Sequence, residues 1–273
     1  MHQDLRVHTR EIRQAARELE CGYEPARLYE FRVAIRRIRS MLKHRGSKRA
    51  RRLRRTWGGF AAATNRARDW DVFLLTAAEL LEPARLEAFR RASEAPVRCS
   101  REAVTRMLAS ARWRAHLKEW KRFLARARKH DKRREAAGAV RTQAGALDAA
   151  LQRARAALAA ALQAEDDSAW HKFRIAVKEV RYTAEREAPV ADGRPAADLV
   201  VESCKALQSL LGGWHDCVVQ LQLLEQLGPS ALAEALRATI AERRSRRLAE
   251  IRETVAGSPL FTPPGSDQQP PAP

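Results

Sequence analysis

Acidic residues are scarce in this chain, long apolar runs are missing, and so are paired cysteines and strand-like alternation; each shortage removes a class of protein. The 33 Asp+Glu face 52 Lys+Arg, a formal net charge of +19, so an acidic partner is expected and a basic one is not. Residues 1–20 are charged throughout and hold no apolar stretch of the kind that drives secretion. No run approaches the ~20 residues that cross a bilayer, so no membrane association is expected and the cytoplasm is the expected location. Cys21, Cys99, Cys204 and Cys217 form no C-x-x-C pair and have no histidine at zinc-ligand spacing, which points to reduced thiols and to no metal site. There is also no nucleophile–base motif, glycine-rich phosphate loop or H-E-x-x-H helix. A non-enzymatic protein without a cofactor is expected.

At 45% hydrophobic residues the chain can still build a core, so its charge does not mean disorder. Apolar residues recur at three and four, in segments dominated by Ala, Leu, Arg, Glu and Gln. This pattern predicts helices at 4–20, 25–43, 48–64, 69–81, 84–108, 113–128, 142–164, 168–187, 194–211, 215–227 and 230–255. Pro25 suits a first helical turn. The class is all-α. The polar, glycine-punctuated stretch after His130 reads as a linker between an N-terminal bundle, 1–130, and a C-terminal bundle, 131–256. Residues 257–273, rich in Pro, Gln and Ser, read as a disordered tail.

A long-period repeat organises the chain. FRVAIRRIR at 31–39 is matched by FRIAVKEVR at 173–181. Phe31, Arg32, Ala34 and Arg39 are identical to Phe173, Arg174, Ala176 and Arg181, and Arg36 becomes Lys178. A second pair follows, Arg68-Asp69-Trp70-Asp71-Val72 and His215-Asp216-Cys217-Val218-Val219. So long a period signifies a duplicated bundle, not a solenoid. Two four-helix-type bundles with pseudo-two-fold symmetry are expected. At about 100° per residue, Arg32, Arg36 and Arg39 share one stripe about 60° wide, bordering the apolar stripe of Leu28, Phe31, Ile35, Ile38 and Leu42. Arg174, Lys178 and Arg181 repeat this beside Trp170, Phe173, Val177 and Val180, with His171 at the stripe's edge. Successive cations stand roughly 4.5 to 6 Å apart along each helix, a ladder suited to neighbouring phosphates. Like charges so stacked repel, and no carboxylate at i+3 or i+4 is expected to offset them. An external counter-charge is therefore implied.

These residues resemble a known family. His171 to Tyr182 looks like the signature helix of the CHAD family, the conserved-histidine α-helical domain. Phe31–Arg39 and Arg68-Asp69-Trp70-Asp71-Val72 resemble its first-half elements, and Leu207–Gly212 with His215-Asp216 its second-half element. The resemblance covers most of 1–255. It implies paired helical bundles around a basic central channel or surface, binding of inorganic polyphosphate, and association with polyphosphate granules. The histidine that the family places three residues before Arg32 is Tyr29 here, which cannot become cationic. His171 stands at its expected place, either touching ligand or ordering the packing. Arg68, His215 and Lys205 are further candidate contacts. Asp69 and Asp216 read as helix-start caps or arginine-orienting groups rather than metal ligands, as do Asp166 and Asp167. The basic run at 48–55 could extend the anion track, but its charges surround the helix and solvation is slightly favoured; Arg243, Arg244, Arg246 and Arg247 have the same two readings. The six tryptophans read as core. A nucleic-acid-associated protein is the alternative, although no base-stacking platform interleaves with the basic residues.

Overall fold

The computed structural model describes residues 2–43, 45–135, 145–164, 166–187 and 195–261. No strand occurs among them, and the all-α reading is what the structure shows. The chain divides into two compact units, 1–139 and 140–273. Unit 1 contains α1 (His2–Cys21), α2 (Pro25–Lys43), α3 (Lys48–Ala63), α4 (Asn65–Leu80), α5 (Pro83–Ala109) and α6 (Ala111–Glu135). Unit 2 contains α7 (Ala146–Ala164), α8 (Asp167–Glu187), α9 (Pro195–Leu224), a 3-10 turn at Glu225–Leu227, and α10 (Ala231–Ala256). Unit 1 thus has six helices and unit 2 four, among the described residues.

Helix starts follow local chemistry. Ser47 Oγ accepts from Ala50 N at 3.1 Å, Ser110 Oγ from Trp113 N at 3.1 Å, and Ser230 Oγ from Ala233 N at 3.1 Å. Asp166 Oδ1 accepts from Ala169 N at 2.6 Å, the capping role expected of it. Each such cap stabilises its helix by about 1 kcal/mol. Pro25 and Pro83 open α2 and α5, where a missing N–H costs nothing.

Three expectations fail here. Gly212 and Gly213 do not separate two helices: α9 runs unbroken through them. Each interior glycine costs about 1 kcal/mol against alanine, but Leu207, Leu211, Trp214 and Val218 bury one continuous face across the step. Consequently Asp216 lies within α9 and not at a helix start. Asp69 also lies past its helix start, because α4 begins at Asn65. Finally, the segment after Gly257 is not wholly tail-like. Phe261 is 5% exposed and packs edge-on against Phe173 at 5.6 Å. The remainder of that expectation, 262–273, and the linker core, 136–144, lie outside the described residues.

Each unit closes on its own core. In unit 1, α2 packs on α1 and α3, α4 on α5, and α6 on α1 and α5. The apolar stripe of α2 is fully inside: Leu28, Phe31, Ile35, Ile38 and Leu42 are 0% exposed. Trp57 anchors it, edge-on to Trp113 at 5.8 Å and to Trp120 at 5.6 Å. In unit 2, chain neighbours pack in sequence, α7 on α8, α8 on α9 and α9 on α10. Trp170, Phe173, Val177 and Val180 of α8 are buried with Trp214 of α9. All six tryptophans are buried, so none serves as an exposed stacking platform. With both apolar stripes inside, the cationic stripes beside them are fixed at the margin of each core.

Candidate functional site

In unit 1 the three stripe arginines have different surroundings. Arg36 is exposed, while Arg32 and Arg39 are half-buried. Arg32 Nη1 donates to Ala61 O at 2.9 Å, Thr64 Oγ1 at 2.7 Å and Asn65 Oδ1 at 2.9 Å. These acceptors are the end of α3, its cap and the start of α4, so Arg32 fastens the junction between those helices. Burial depresses its pKa; nearby Asp69 opposes this, and Arg36 and Arg68 add to it. Arg68 of α4 lies over the ring of Tyr29 at 5.6 Å, a cation–π contact. Arg39, two turns beyond Arg32 on α2, faces Arg54 of α3. Arg54 belongs to the basic run read as solvated, and helix periodicity alone does not reveal that it turns toward α2.

Unit 2 gathers its candidates more tightly. The rings of His171 on α8 and His215 on α9 stand 4.8 Å apart. Burial lowers the His171 pKa, and Arg174 and Lys178 lower it further. Burial likewise pushes His215 down to about 4, helped by Arg174, His171 and Lys178 and opposed by Asp167. Both imidazoles are therefore neutral near pH 7 and sit in a positive local field. Asp167 is in turn paired with Arg244 of α10. Arg244, Arg243 and Arg247 also face Cys217 on α9. The C-terminal arginines, read as solvated, thus extend the basic surface of this unit.

Two candidates fall outside these gatherings. Arg181 pairs with Glu185, one turn on, at 3.4 Å and lies over Tyr182 at 4.8 Å. The expectation that no carboxylate answers the stripe fails at this position, since Glu185 lies at i+4. Lys205 is exposed and pairs with Glu202 at 2.7 Å. Glu179, which replaces a stripe-opposing arginine of the first copy, pairs with Arg153 of α7 at 3.3 Å.

One polar group escaped the sequence reading. Asp71, the second acid of the Arg68–Val72 motif, is 2% exposed. It accepts from Tyr23 Oη at 2.7 Å and from Arg101 at 3.2 Å. Burial raises the Asp71 pKa, and the Tyr23 pKa is raised by that residue's own burial and by its hydrogen bond to Asp71. The available signal was register: Asp71 follows Trp70 on a face that continues from Ala67, and α4 buries that face. Above it lies a cavity of about 770 Å³ walled by Leu74, Leu75, Ala78 and Val97. Its rim arginines Arg98 and Arg106 pair with Glu94 and Glu102 on the same helix.

No group of three or more His, Cys, Asp and Glu side chains among the described residues could hold a metal ion. No helix among them is long and apolar enough to cross a membrane. The fold and its sites thus define an all-helical protein that carries half-buried basic clusters in both units. The sequence model of the CHAD domain matches residues 3–225, and the chain belongs to that family. Its fold resembles the crystal structure of the CHAD domain from the plant Ricinus communis, with a TM-score of 0.67 over 93% of this chain and 89% of that one. At 21% identity that likeness bears on fold alone. No curated protein sequence matches the chain.

Proposed function

We propose that this protein is a non-enzymatic module that binds inorganic polyphosphate through the basic clusters of both units. Its expected place is the cytoplasm, attached to polyphosphate granules. The observation that carries this reading is the cluster around His171, His215, Arg174 and Lys178. There two half-buried imidazoles are held neutral by burial and by two neighbouring cations, with Asp167 already paired to Arg244. Such a concentration of positive charge is stabilised by an external polyanion. A chain of linked phosphates supplies many oxyanions at close spacing. Guanidinium forks hold these bidentately and the lysine ammonium adds a mobile point charge.

In unit 1 the corresponding contacts are Arg36, Arg39 and Arg68, with Arg32 holding the α3–α4 junction beneath them. In unit 2 they are Arg174, Lys178, His171 and His215. Arg181 and Lys205 contribute less, because each is already answered by a glutamate. The buried tryptophans offer no surface for stacking bases, so phosphate chains suit these faces better than nucleic acid.

The test is retention of long-chain polyphosphate at several salt concentrations, with duplex DNA as competitor and phosphate release monitored throughout. Binding that weakens steeply with salt and resists DNA supports the reading. DNA displacing polyphosphate at equal phosphate concentration, or liberation of phosphate, would overturn it.

A further inference from the structure

Gly58 lies in the interior of α3, where a glycine weakens a helix and calls for a reason. The reason visible here is a close approach by Arg39 of α2. A Cβ at Gly58 would stand 3.3 Å from Arg39 Cζ, 3.3 Å from Nη2 and 3.4 Å from Nε. The guanidinium therefore lies against the α3 backbone, and a Cβ at position 58 would push it away by a few tenths of an ångström. On the same helix, one turn earlier, is Arg54. The Nε atoms of Arg39 and Arg54 are both buried and have no hydrogen-bond partner among the described residues. Burial and the neighbouring Arg54 charge both make the Arg39 cation less stable. Two half-buried guanidinium groups, close enough to repel and short of acceptors, form an unbalanced pair. A tetrahedral oxyanion between them would supply charge and acceptors together.

We infer that Arg39 and Arg54 form one phosphoryl-binding step, with Gly58 as the positioning residue on which the Arg39 guanidinium is seated. The inference rests on the reading of the protein as a polyphosphate binder and adds to it a residue pair across α2 and α3. Arg54 becomes a ligand contact in place of a solvated surface charge. Gly58 acts only through Arg39, which makes a specific demand on the experiment.

The probe is long-chain inorganic polyphosphate, titrated into the full chain at fixed salt. Arg54→Gln should weaken binding about fivefold and make the salt dependence shallower by about one charge. Arg91→Gln, an exposed arginine of α5 paired with Glu87, controls for loss of net charge and should leave affinity within about twofold. Gly58→Ala should weaken binding about threefold while the thermal midpoint holds or rises, since alanine favours the helix. In an Arg39→Gln background the same glycine change should produce no additional loss, because the group it positions is gone. A purely structural glycine would not give that non-additivity. The inference is overturned if Gly58→Ala and Arg54→Gln bind as the wild type does, or if the glycine effect persists without Arg39. A wild-type chain that fails to retain polyphosphate would instead overturn the parent reading, and this inference with it.

Discussion

In unit 1 Tyr29 lies under the Arg68 guanidinium; in unit 2 His171 lies against His215. The four residues occupy matched places in the two copies of the sequence motif, so the same pairing of helix positions recurs with different chemistry. The first pair carries a permanent cation on an aromatic face. The second is neutral near pH 7. A second contrast lies beneath. Unit 1 breaks its helix at Thr64 and fastens the break with Arg32, whereas unit 2 runs α9 straight through Gly212 and Gly213. The repeated motif therefore conserves where charge is placed more closely than how the backbone holds it.

The sharpest way to break this comparison is to strip each unit in turn. Arg174→Gln with Lys178→Gln should weaken polyphosphate binding about a hundredfold at physiological salt, and make the salt dependence shallower by about two charges. Arg36→Gln with Arg39→Gln in unit 1 should cost about tenfold, since Arg68 and Arg54 remain. Isothermal titration at three salt concentrations reads both. Equal losses would show that the denser cluster of unit 2 confers no advantage.

Arg32 separates stability from binding. Arg32→Gln removes the donor shared by Ala61 O, Thr64 Oγ1 and Asn65 Oδ1 and loosens the α3–α4 junction, while Thr64 Oγ1 keeps its own bond to Ala61 O. Unfolding in urea should show a loss of about 1 kcal/mol, the usual net contribution of such hydrogen bonds. Binding by the fraction still folded should change less than for the Arg36/Arg39 variant.

These outcomes bear on what could be read from residues alone. The core stripes of α2 and α8 and the cationic margins beside them follow from a period of 3.6, and they appear; the helix count does not, because two expected helices are one continuous α9. What escaped was decided by tertiary neighbours. Nothing local says that Arg32 reaches across to Thr64, that Arg54 turns toward Arg39, or that Asp71 is buried under Tyr23 and Arg101. Gly212-Gly213 looks like a break because propensity is local, while the face of Leu207, Leu211, Trp214 and Val218 that keeps α9 continuous is stabilised by burial against its neighbours. Phe261 was assigned to a polar tail because composition around it outweighs one aromatic residue.

The imidazole pair offers the next test, through pH. His215 has a folded pKa of about 4 against an ordinary value of 6.5, and His171 is displaced in the same direction. Above about pH 6.5 both states of the protein hold these rings neutral, and the full stability of unit 2 is present. As pH falls below that, the unfolded chain takes up protons first and stability declines, until the folded rings also protonate. The loss should approach about 2 kcal/mol by pH 4.5. Burial sets most of the shift; Arg174, Lys178 and the neighbouring imidazole add to it, and Asp167, itself reached by Arg244 from α10, opposes it. His171→Tyr with His215→Arg, which gives unit 2 the chemistry of unit 1, should flatten this part of the profile. A profile unchanged by that exchange would place the acid sensitivity elsewhere, His116 being the other strongly lowered histidine, pushed down to about 4 by burial beside Trp57.

Lys205 should give the smallest effect and fixes the edge of the unit 2 site. It is exposed, it pairs with Glu202 one turn earlier, and α9 presents it well before His215 in sequence. An exposed pair of this kind contributes a few tenths of a kcal/mol. Lys205→Gln should therefore change polyphosphate affinity by less than about twofold and leave the urea midpoint in place. A loss comparable with that of Lys178→Gln would mean that the phosphate chain runs on along α9, beyond the histidine pair. The contact surface in unit 2 would then extend several turns past the place where its cations and imidazoles meet.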